Sequence, residues 1–388
     1  MTTSRSVPRL ALALLLGGAA CDGGEKTEAP LPEPGNNNTR PYDGPGGDAV
    51  VAGGPAINPQ QILDRIKPIM AALPKEAINP DNPSTPEKIE LGHMLYFDKR
   101  LSKNQDIACV TCHDLEHYGI DIREHEGLRS ATSKGHRGQI GERNTPTVYN
   151  AALHFVQFWD GRAKDVEEQA KGPVLNPVEM AMKDEPSVLA VLRSIPGYEE
   201  KFAAAFPGED PPITYDNVGR AVGAYERTLL TPARFDAFVG GDLDALKGQE
   251  LRGLQLFLDV GCTQCHSGAL LGGTQFQKLG TVKPWPDLHD VGRSKITASD
   301  ADKFVFKVPS LRNVTQTAPY FHNGSEADLG NAVRMMAEHQ TARGKLQDDE
   351  VLAIVAFLGS LEGEIPKDKI GAPTLPENGP DTPGPDPS

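Results

Sequence analysis

The sequence is poor in cysteine, with only five among 388 residues. Four of them lie in two short motifs, ACVTCHD at 108–114 and GCTQCHSG at 261–268, and the fifth is Cys21 near the N-terminus. Outside the motifs and Cys21, no thiol remains for a structural disulfide. The cysteines therefore point to chemistry at the two motifs rather than to a fold held together by cross-links.

Basic residues are also fewer than acidic ones. The chain has 39 Lys and Arg against 53 Asp and Glu, and its formal net charge is −14 at pH 7. Such an acidic balance argues against nucleic acid or an anionic membrane surface as the main partner. The apolar run LALALLL at 10–16 is too short to span a membrane as a mature helix.

The first 21 residues have the pattern of an export signal. Arg5 and Arg9 precede the apolar run, and the small residues of GGAAC follow it and end at Cys21. Cys21 stands where bacterial lipoproteins carry their acylated cysteine. A plain signal peptide with an incidental cysteine is the alternative, and Gly18 favours it because a larger aliphatic residue is usual there. We predict a periplasmic protein that is tethered to a membrane only through a lipid on Cys21.

Both ends of the mature chain are rich in Pro, Gly and polar residues. Residues 22–58 predict a flexible tether and residues 365–388 a disordered tail, since neither segment shows apolar periodicity. Between them lies the folded body, which we divide into an N-terminal domain at 59–235 and a C-terminal domain at 236–364.

The two cysteine motifs share the pattern C-x-x-C-H. A zinc site would need two cysteine pairs about fifteen to twenty residues apart, whereas these pairs lie far apart in the chain. A thiol–disulfide centre would leave the following histidine without a role. Covalent haem c uses all three residues, since Cys109 and Cys112, or Cys262 and Cys265, would form thioethers to the porphyrin. His113 and His266 would then be axial ligands of the two irons.

A second repeat follows each motif. The first half reads RNTPTVYNAALHFVQFWDGR at 143–162, and the second reads RNVTQTAPYFHNG at 312–324. Each has Arg-Asn, a variable stretch, an aromatic residue, Trp or His, Asp or Asn, and Gly. We interpret the two halves as copies of one haem-binding module.

Helical periodicity dominates the body, and strand-like alternation is scarce. We predict helices in PEKIELGHMLYF, in ALKGQELRGLQLFLDVGC, in SEADLGNAVRMMAEH with a capping-box-like Ser325 and Asp328, and in DDEVLAIVAFLGSL. The expected fold is mainly α, with two cytochrome c-like helical domains that each carry one covalent c-type haem.

The two halves differ in the residues available for the axial position of each iron opposite the motif histidine. Met335 and Met336 follow the second motif on a predicted helix, and a thioether ligand raises the reduction potential of a haem. Core packing is the alternative for both. In the first half, NPVEMAMK contains Glu179, together with Met180 and Met182. An acid beside an open iron can move the proton that peroxide cleavage requires; a surface glutamate is the alternative.

From about residue 86 to 362 the chain resembles bacterial di-haem cytochrome c peroxidases. The matching segments, in order, are LGHMLYFDKRLS, CVTCHD, RNTPTVYN, QFWDGRAKDVEEQAKGPVLNPVEM, GCTQCHSG, TAPYFHNG and AVRMM. The resemblance implies that hydrogen peroxide is reduced to water at the N-terminal haem, whose proximal ligand is His113. Electrons would come from a small cytochrome c or cupredoxin and enter at the His266/Met336 haem. Homodimers are common in that family.

The same resemblance implies roles for single residues of the N-terminal half. Gln169 and Glu179 would line the peroxide pocket, with Glu179 as the acid–base catalyst. Trp159 would lie between the haems and help electrons to cross, with one more core aromatic as the alternative. His136, in KGHRGQIGERN, would be the resting sixth ligand, which leaves when the other haem is reduced. His117 and His125 lie in the same long segment and compete for that role.

A calcium ion between the domains is a further implication of the resemblance. Asn144 would bind it, together with the backbone carbonyls of Thr317 and Pro319, and hard oxygen donors suit calcium. His322 would lie near the region between the haems.

Two other functions remain open at this stage. A related di-haem enzyme oxidises residues of a partner protein to build a quinone cofactor, but it has Tyr where Met336 stands. A di-haem electron carrier without peroxidase turnover would need neither Glu179 nor Trp159.

Overall fold

The structure is a computed structural model that describes Met1 and residues 57–125, 128–129 and 131–388, with backbone only at 124–125 and 128–129. The export signal, Cys21 and nearly all of the predicted tether lie outside the described residues. The described part of the chain is mainly helical, as predicted, and it contains no helix with the length and apolar character needed to cross a membrane.

The helices in chain order are α1 (Pro59–Ile66), α2 (Pro86–Phe97), α3 (Cys109–Cys112), α4 (Val166–Gln169), α5 (Lys171–Leu175), α6 (Glu185–Arg193), α7 (Pro196–Ala205), α8 (Tyr215–Glu226), α9 (Arg234–Val239), α10 (Gly248–Val260), α11 (Ser294–Thr297), α12 (Leu329–Gln340) and α13 (Asp348–Gly359). Two short antiparallel strand pairs complete the described elements: β1 (Glu124–His125) with β2 (Leu128–Arg129), and β3 (Phe276–Lys278) with β4 (Val305–Lys307). In the second pair Gln277 lies opposite Phe306.

Each half is built around one close helix crossing. In the first half α2 packs on α8, and in the second α10 packs on α13. A Cβ atom on Gly92 of α2 would lie 1.9 Å from the carbonyl oxygen of Ala221, and one on Gly253 of α10 would lie 1.8 Å from that of Ala353. Both crossings therefore require glycine, which supports the interpretation of the halves as copies of one module.

The second repeat is also visible in the backbone. Phe158 and Phe321 both have positive φ, 65° and 69°, and so do Gly161 and Gly324, at 70° and 64°. In each copy the residues flanking this turn form an antiparallel bridge. The FWDG and FHNG segments are therefore equivalent in conformation as well as in sequence.

The two Arg-Asn pairs, by contrast, are not equivalent. The residue that corresponds to Asn313 is Asn150, not Asn144: both have left-handed φ, 59° and 61°, and both precede a short 3₁₀ turn. Their side chains meet at the hydroxyl of Thr231, at 2.9 and 2.8 Å. The repeat therefore aligns PTVYN with PSLRN, and our alignment of the Arg-Asn pairs was wrong.

The N-terminal end of the body packs on the opposite half from the one predicted. Ile62, Leu63 and Ile66 of α1 are buried in the core formed by α9, α10 and α13, and Arg65 pairs with Asp259 at 2.6 Å. The boundary at 59–235 differs from the structure because the sequence does not reveal which core an apolar helix face will join.

The C-terminal end of the chain packs on the N-terminal half. Ile365, Ile370 and Leu375 pack against the core of the first half. Arg100 donates to the carbonyl of Pro376 at 2.9 Å and to the side chain of Asn378 at 2.7 Å. The tail predicted as disordered thus lies along the N-terminal half, because its proline-rich composition excludes a helix without excluding contacts.

One predicted helix start also shifts. α12 begins at Leu329, and the Asp328 side chain caps it by accepting from the backbone N–H of Asn331 at 2.7 Å. Ser325 lies before the helix, so the capping box placed there is absent.

Gly253→Ala is expected to destabilise the C-terminal half by about 1–3 kcal/mol, because the added methyl overlaps the α13 backbone. Gly359→Ala is the matched control, since a Cβ at that helical position meets nothing within 4 Å. Thermal unfolding followed by circular dichroism measures both. Equal midpoints for the two variants would contradict the tight crossing.

Candidate active site

Helix α3 is a single turn that carries the first cysteine pair and delivers His113 directly after it. Cys109, Cys112 and His113 line a cavity of about 650 Å³ in the first half. The hydroxyl of Tyr96 donates to the carbonyl of His113 at 3.1 Å and so supports the turn from below. The thiols and the imidazole of the motif therefore face the same cavity.

Both motif histidines make the same hydrogen bond. Nδ1 of His113 lies 3.2 Å from the carbonyl oxygen of Gly119, and Nδ1 of His266 lies 2.9 Å from that of Leu271. A carbonyl oxygen only accepts hydrogen bonds, so each Nδ1 carries the ring proton. Each Nε2 is therefore unprotonated and has a lone pair available for a metal. Burial lowers the pKa of both imidazoles, which favours the neutral form that binds a metal.

The thiols are poorly suited to redox exchange. Burial raises the pKa of Cys109 and of Cys262 to about 12 and that of Cys112 to about 11. A reactive or zinc-binding cysteine needs the thiolate, which a raised pKa opposes. The local environment thus fits apolar thioether attachment better than either alternative chemistry.

Four further predicted site residues line the same cavity: Asn144, Trp159, Gln169 and Glu179. Gln169 is the last residue of α4. Glu179 follows α5 in a turn that also contains Asn176, whose amide donates to Glu179 Oε1 at 2.9 Å. Burial raises the pKa of Glu179, while the Arg162 charge and the Asn176 hydrogen bond act in the opposite direction. This carboxyl can therefore both accept and hold a proton.

The neighbouring methionines are packing residues. Met180 and Met182 are buried in the core of the first half. Met180 also lines the cavity of the first haem motif. Met335 and Met336, on α12, are only half-buried, so their thioethers lie outside the core of the second half.

His136 is buried, and the backbone ties it to the acid. The backbone N–H of His136 donates to the backbone carbonyl of Glu179 at 2.8 Å. The two backbone segments also approach closely at Gly135, where a Cβ atom would lie 2.0 Å from the carbonyl oxygen of Val178. The cavity wall includes Gly135 but not His136 itself. His117 is exposed, and the side chain of His125 lies outside the described residues.

The predicted junction between the halves is assembled around Asn144. Its amide nitrogen lies 2.6 Å from the carbonyl oxygen of Pro319, and its backbone N–H donates to the carbonyl of His322 at 2.8 Å. Trp159 donates from Nε1 to the carbonyl of Asn144 at 2.9 Å, and its ring lies 6.4 Å from that of His322. Trp159 therefore connects the first cavity to the second half.

Calcium at this junction would depend on neutral oxygens. The described residues contain no group of three or more His, Cys, Asp or Glu that could hold a metal ion. Of the predicted calcium ligands, the Asn144 side chain and the Pro319 carbonyl are adjacent, at 2.6 Å.

The sequence reasoning missed a second acid in the cavity, Glu226 at the end of α8. It is 4% exposed, and burial, followed by repulsion from Glu167, raises its pKa to about 8 despite the opposing charge of Arg227. The signal was available, because a glutamate on the apolar face of a helix is unusual.

Comparison with known proteins places these features in a family. The model of the di-haem cytochrome c peroxidase family matches residues 86–244, and the cytochrome c model matches residues 251–362. Cytochrome c551 peroxidase of Nitrosomonas europaea is 44% identical over 320 residues, which cover 81% of this chain and 91% of the relative. Cytochrome c551 peroxidase of Pseudomonas aeruginosa is 40% identical over 338 residues, which cover 85% and 94%.

The fold has matches among solved structures as well. A MauG-like protein associated with microbial copper homeostasis superimposes with a TM-score of 0.67 at 28% sequence identity, over 78% of this chain and 97% of that protein. The motifs, the paired haem-type modules and the relatives agree. The chain belongs to the family of bacterial di-haem cytochrome c peroxidases.

Proposed function

We propose that this protein reduces hydrogen peroxide to two waters in the cavity of the N-terminal half. The electrons would come from a small cytochrome c or cupredoxin and enter through the C-terminal haem, bound by His266 and Met336. The observation that carries the proposal is the convergence of Glu179, Gln169 and Trp159 on the cavity that also holds the first haem motif.

The residues present fit covalent haem c. Each half offers two cysteines and an imidazole whose Nε2 is left free by the Nδ1 hydrogen bond. When bound, the haem iron supplies a site for peroxide and the electrons for its reduction. The chain itself supplies proton transfer, orientation and the path between the halves.

Glu179 is the proposed acid–base group. As a carboxylate it accepts the proton of one peroxide oxygen and returns it to the other as the O–O bond breaks. Two electrons and two protons then complete the two waters. The hydrogen bond from Asn176 orients the carboxyl, and the raised pKa brings it nearer to the pH at which it must act. The amide of Gln169, on the same cavity wall, would orient the peroxide.

His136 is the proposed resting ligand, and its loop would couple ligation to catalysis. Because the His136 N–H is bonded to the Glu179 carbonyl, movement of this loop would also move the acid. Trp159 would support electron transfer through its contact with the Asn144 carbonyl at the junction.

The remaining expectations belong to the same proposal. The chain would be exported by residues 1–21, acylated at Cys21 and held in the periplasm by the lipid alone, and it would act as a homodimer. Calcium would bind at Asn144 with the carbonyls of Thr317 and Pro319, which requires the Asn144 oxygen to face the ion. A role in oxidising residues of a partner protein is disfavoured by Met336, and a carrier role by Glu179.

Glu179→Gln is expected to lower peroxide turnover by about 10²–10⁴-fold while the haem absorbance spectrum stays unchanged. Glu168→Gln, an exposed carboxylate on α4, should retain turnover. Because burial raises the Glu179 pKa above its usual 4.5, the wild-type rate should rise as pH increases through that higher pKa, and the variant should lack this limb. Full turnover in Glu179→Gln would contradict the acid–base role of Glu179.

Met336→His is expected to lower the midpoint potential of the C-terminal haem by more than about 59 mV, or tenfold in the reduction constant, since imidazole favours ferric iron more than a thioether does. Met335→Leu is the control on the same helix and should leave the potential in place. Redox titration followed by visible absorbance measures both. A shift in Met335→Leu alone would transfer the ligand role to Met335.

His136→Gly is expected to react with peroxide in the fully oxidised state, because the position that the imidazole would occupy is then free. His117→Gly, on an exposed side chain, should react only after one-electron reduction, as the wild type should. Stopped-flow absorbance with peroxide distinguishes them. If His136→Gly still requires prior reduction, another residue is the gate.

A further inference from the structure

The last residue of β4 is a buried cation that has no partner of opposite charge among the described residues. Lys307 is 5% exposed, and its ammonium nitrogen lies 3.1 Å from Nδ1 of His154. Both side chains line the cavity of the first haem motif. Burial alone lowers the pKa of Lys307, to about 8, so the side chain is still charged at neutral pH.

Histidine does not neutralise this charge. An ammonium group only donates, so Nδ1 of His154 accepts and the ring proton lies on Nε2. That Nε2 is buried and has no hydrogen-bond partner among the described residues. Burial and the neighbouring Lys307 lower the pKa of His154, which keeps the ring neutral. The pair therefore carries one net positive charge.

The other lysine and arginine side chains of the described cavity wall each have a carboxylate. Arg143 pairs with Asp160 and Asp290, Arg162 with Asp160, and Lys295 with Glu142. Among the cations of the described cavity lining, Lys307 alone has no carboxylate partner. Burying an ammonium group without an anion carries a large desolvation penalty. The presence of Lys307 in the cavity lining therefore indicates that an anion binds beside it.

The position of Lys307 is fixed by both halves of the chain. Its backbone N–H donates to the carbonyl of Trp159 at 2.7 Å, and Phe155, next to His154, donates to the carbonyl of Gly273 at 2.9 Å. Lys307 thus extends from the C-terminal half into the N-terminal haem cavity and is held there by the backbone.

We propose that Lys307, positioned by His154, binds a carboxylate of the haem in the N-terminal half. Haem carries propionate groups, which have the chemistry that a buried ammonium pairs with. The inference rests on the covalent haem of the proposed function, not on peroxide reduction. A cation beside the porphyrin favours the electron-rich ferrous state, so Lys307 would raise the reduction potential of the haem that receives the electrons.

The test is a redox titration of the complete protein, with the N-terminal haem followed by its absorbance. Lys307→Met is expected to lower the reduction constant of this haem at least tenfold, which is 59 mV for one electron. Lys307→Gln introduces an amide that can donate to His154, so this variant should fold even if the methionine variant does not. Its reduction constant should fall by the same factor. Lys307→Arg should retain the wild-type potential. Lys295→Met is the control, because that lysine lines the same wall but is exposed and already paired.

Added acetate distinguishes a haem carboxylate from a free small anion at the same place. The proposal predicts that the wild-type potential does not depend on acetate concentration in a carboxylate-free buffer, and a dependence would overturn it. An unchanged potential in both Lys307→Gln and Lys307→Met would overturn it as well. Peroxide turnover does not enter the measurement, so either result leaves the proposed peroxidase function to be judged on its own test.

Discussion

The hydrogen bond from Nδ1 of each motif histidine to a backbone carbonyl is the constraint on which the rest of the site depends. It sets the tautomer and the ring orientation, so that Nε2 of His113 and of His266 keeps the lone pair that would bind a haem iron. The C-x-x-C-H turn places the two thioether sites and this ring within one helical turn. In the first half this turn lines a cavity, and in both halves a close helix crossing supports the fold around the motif.

The two halves share this histidine hydrogen bond but differ in the residues around it. In the first half Glu179, Gln169 and the buried Glu226 line the cavity, and Met180 and Met182 are buried in the core. In the second half the methionines of α12 lie outside the core, and in the proposed function the thioether of Met336 would complete the coordination of the iron. The proposed chemistry of the pair follows from this asymmetry, since the first site would exchange protons with hydrogen peroxide and the second would hold an electron. Backbone hydrogen bonds join the halves here, from Asn144 to the carbonyl of His322 and from Lys307 to the carbonyl of Trp159.

Local features of the sequence predicted the structure well, and long-range ones did not. The motifs, the FWDG and FHNG turns and the helices at 86–97 and 348–359 follow from spacing and periodicity, which act over a few residues. The alignment of Asn144 with Asn313 failed because equivalence is decided by the shared contact with Thr231, far away in the chain. The exchange of chain ends between the halves was hidden for the same reason. Lys307 was missed because its burial is not visible in the sequence, whereas Glu226 was missed although its place on an apolar helix face was a signal.

Electron paramagnetic resonance of the oxidised and half-reduced protein, before and after hydrogen peroxide is added, tests the central claim most directly. The account predicts two distinct ferric signals in the oxidised protein. On one-electron reduction the signal of the C-terminal haem should vanish, the N-terminal signal should change to that of an open site, and peroxide should then alter it. Two haems that keep all their ligands and do not respond to peroxide at any oxidation level would contradict the account.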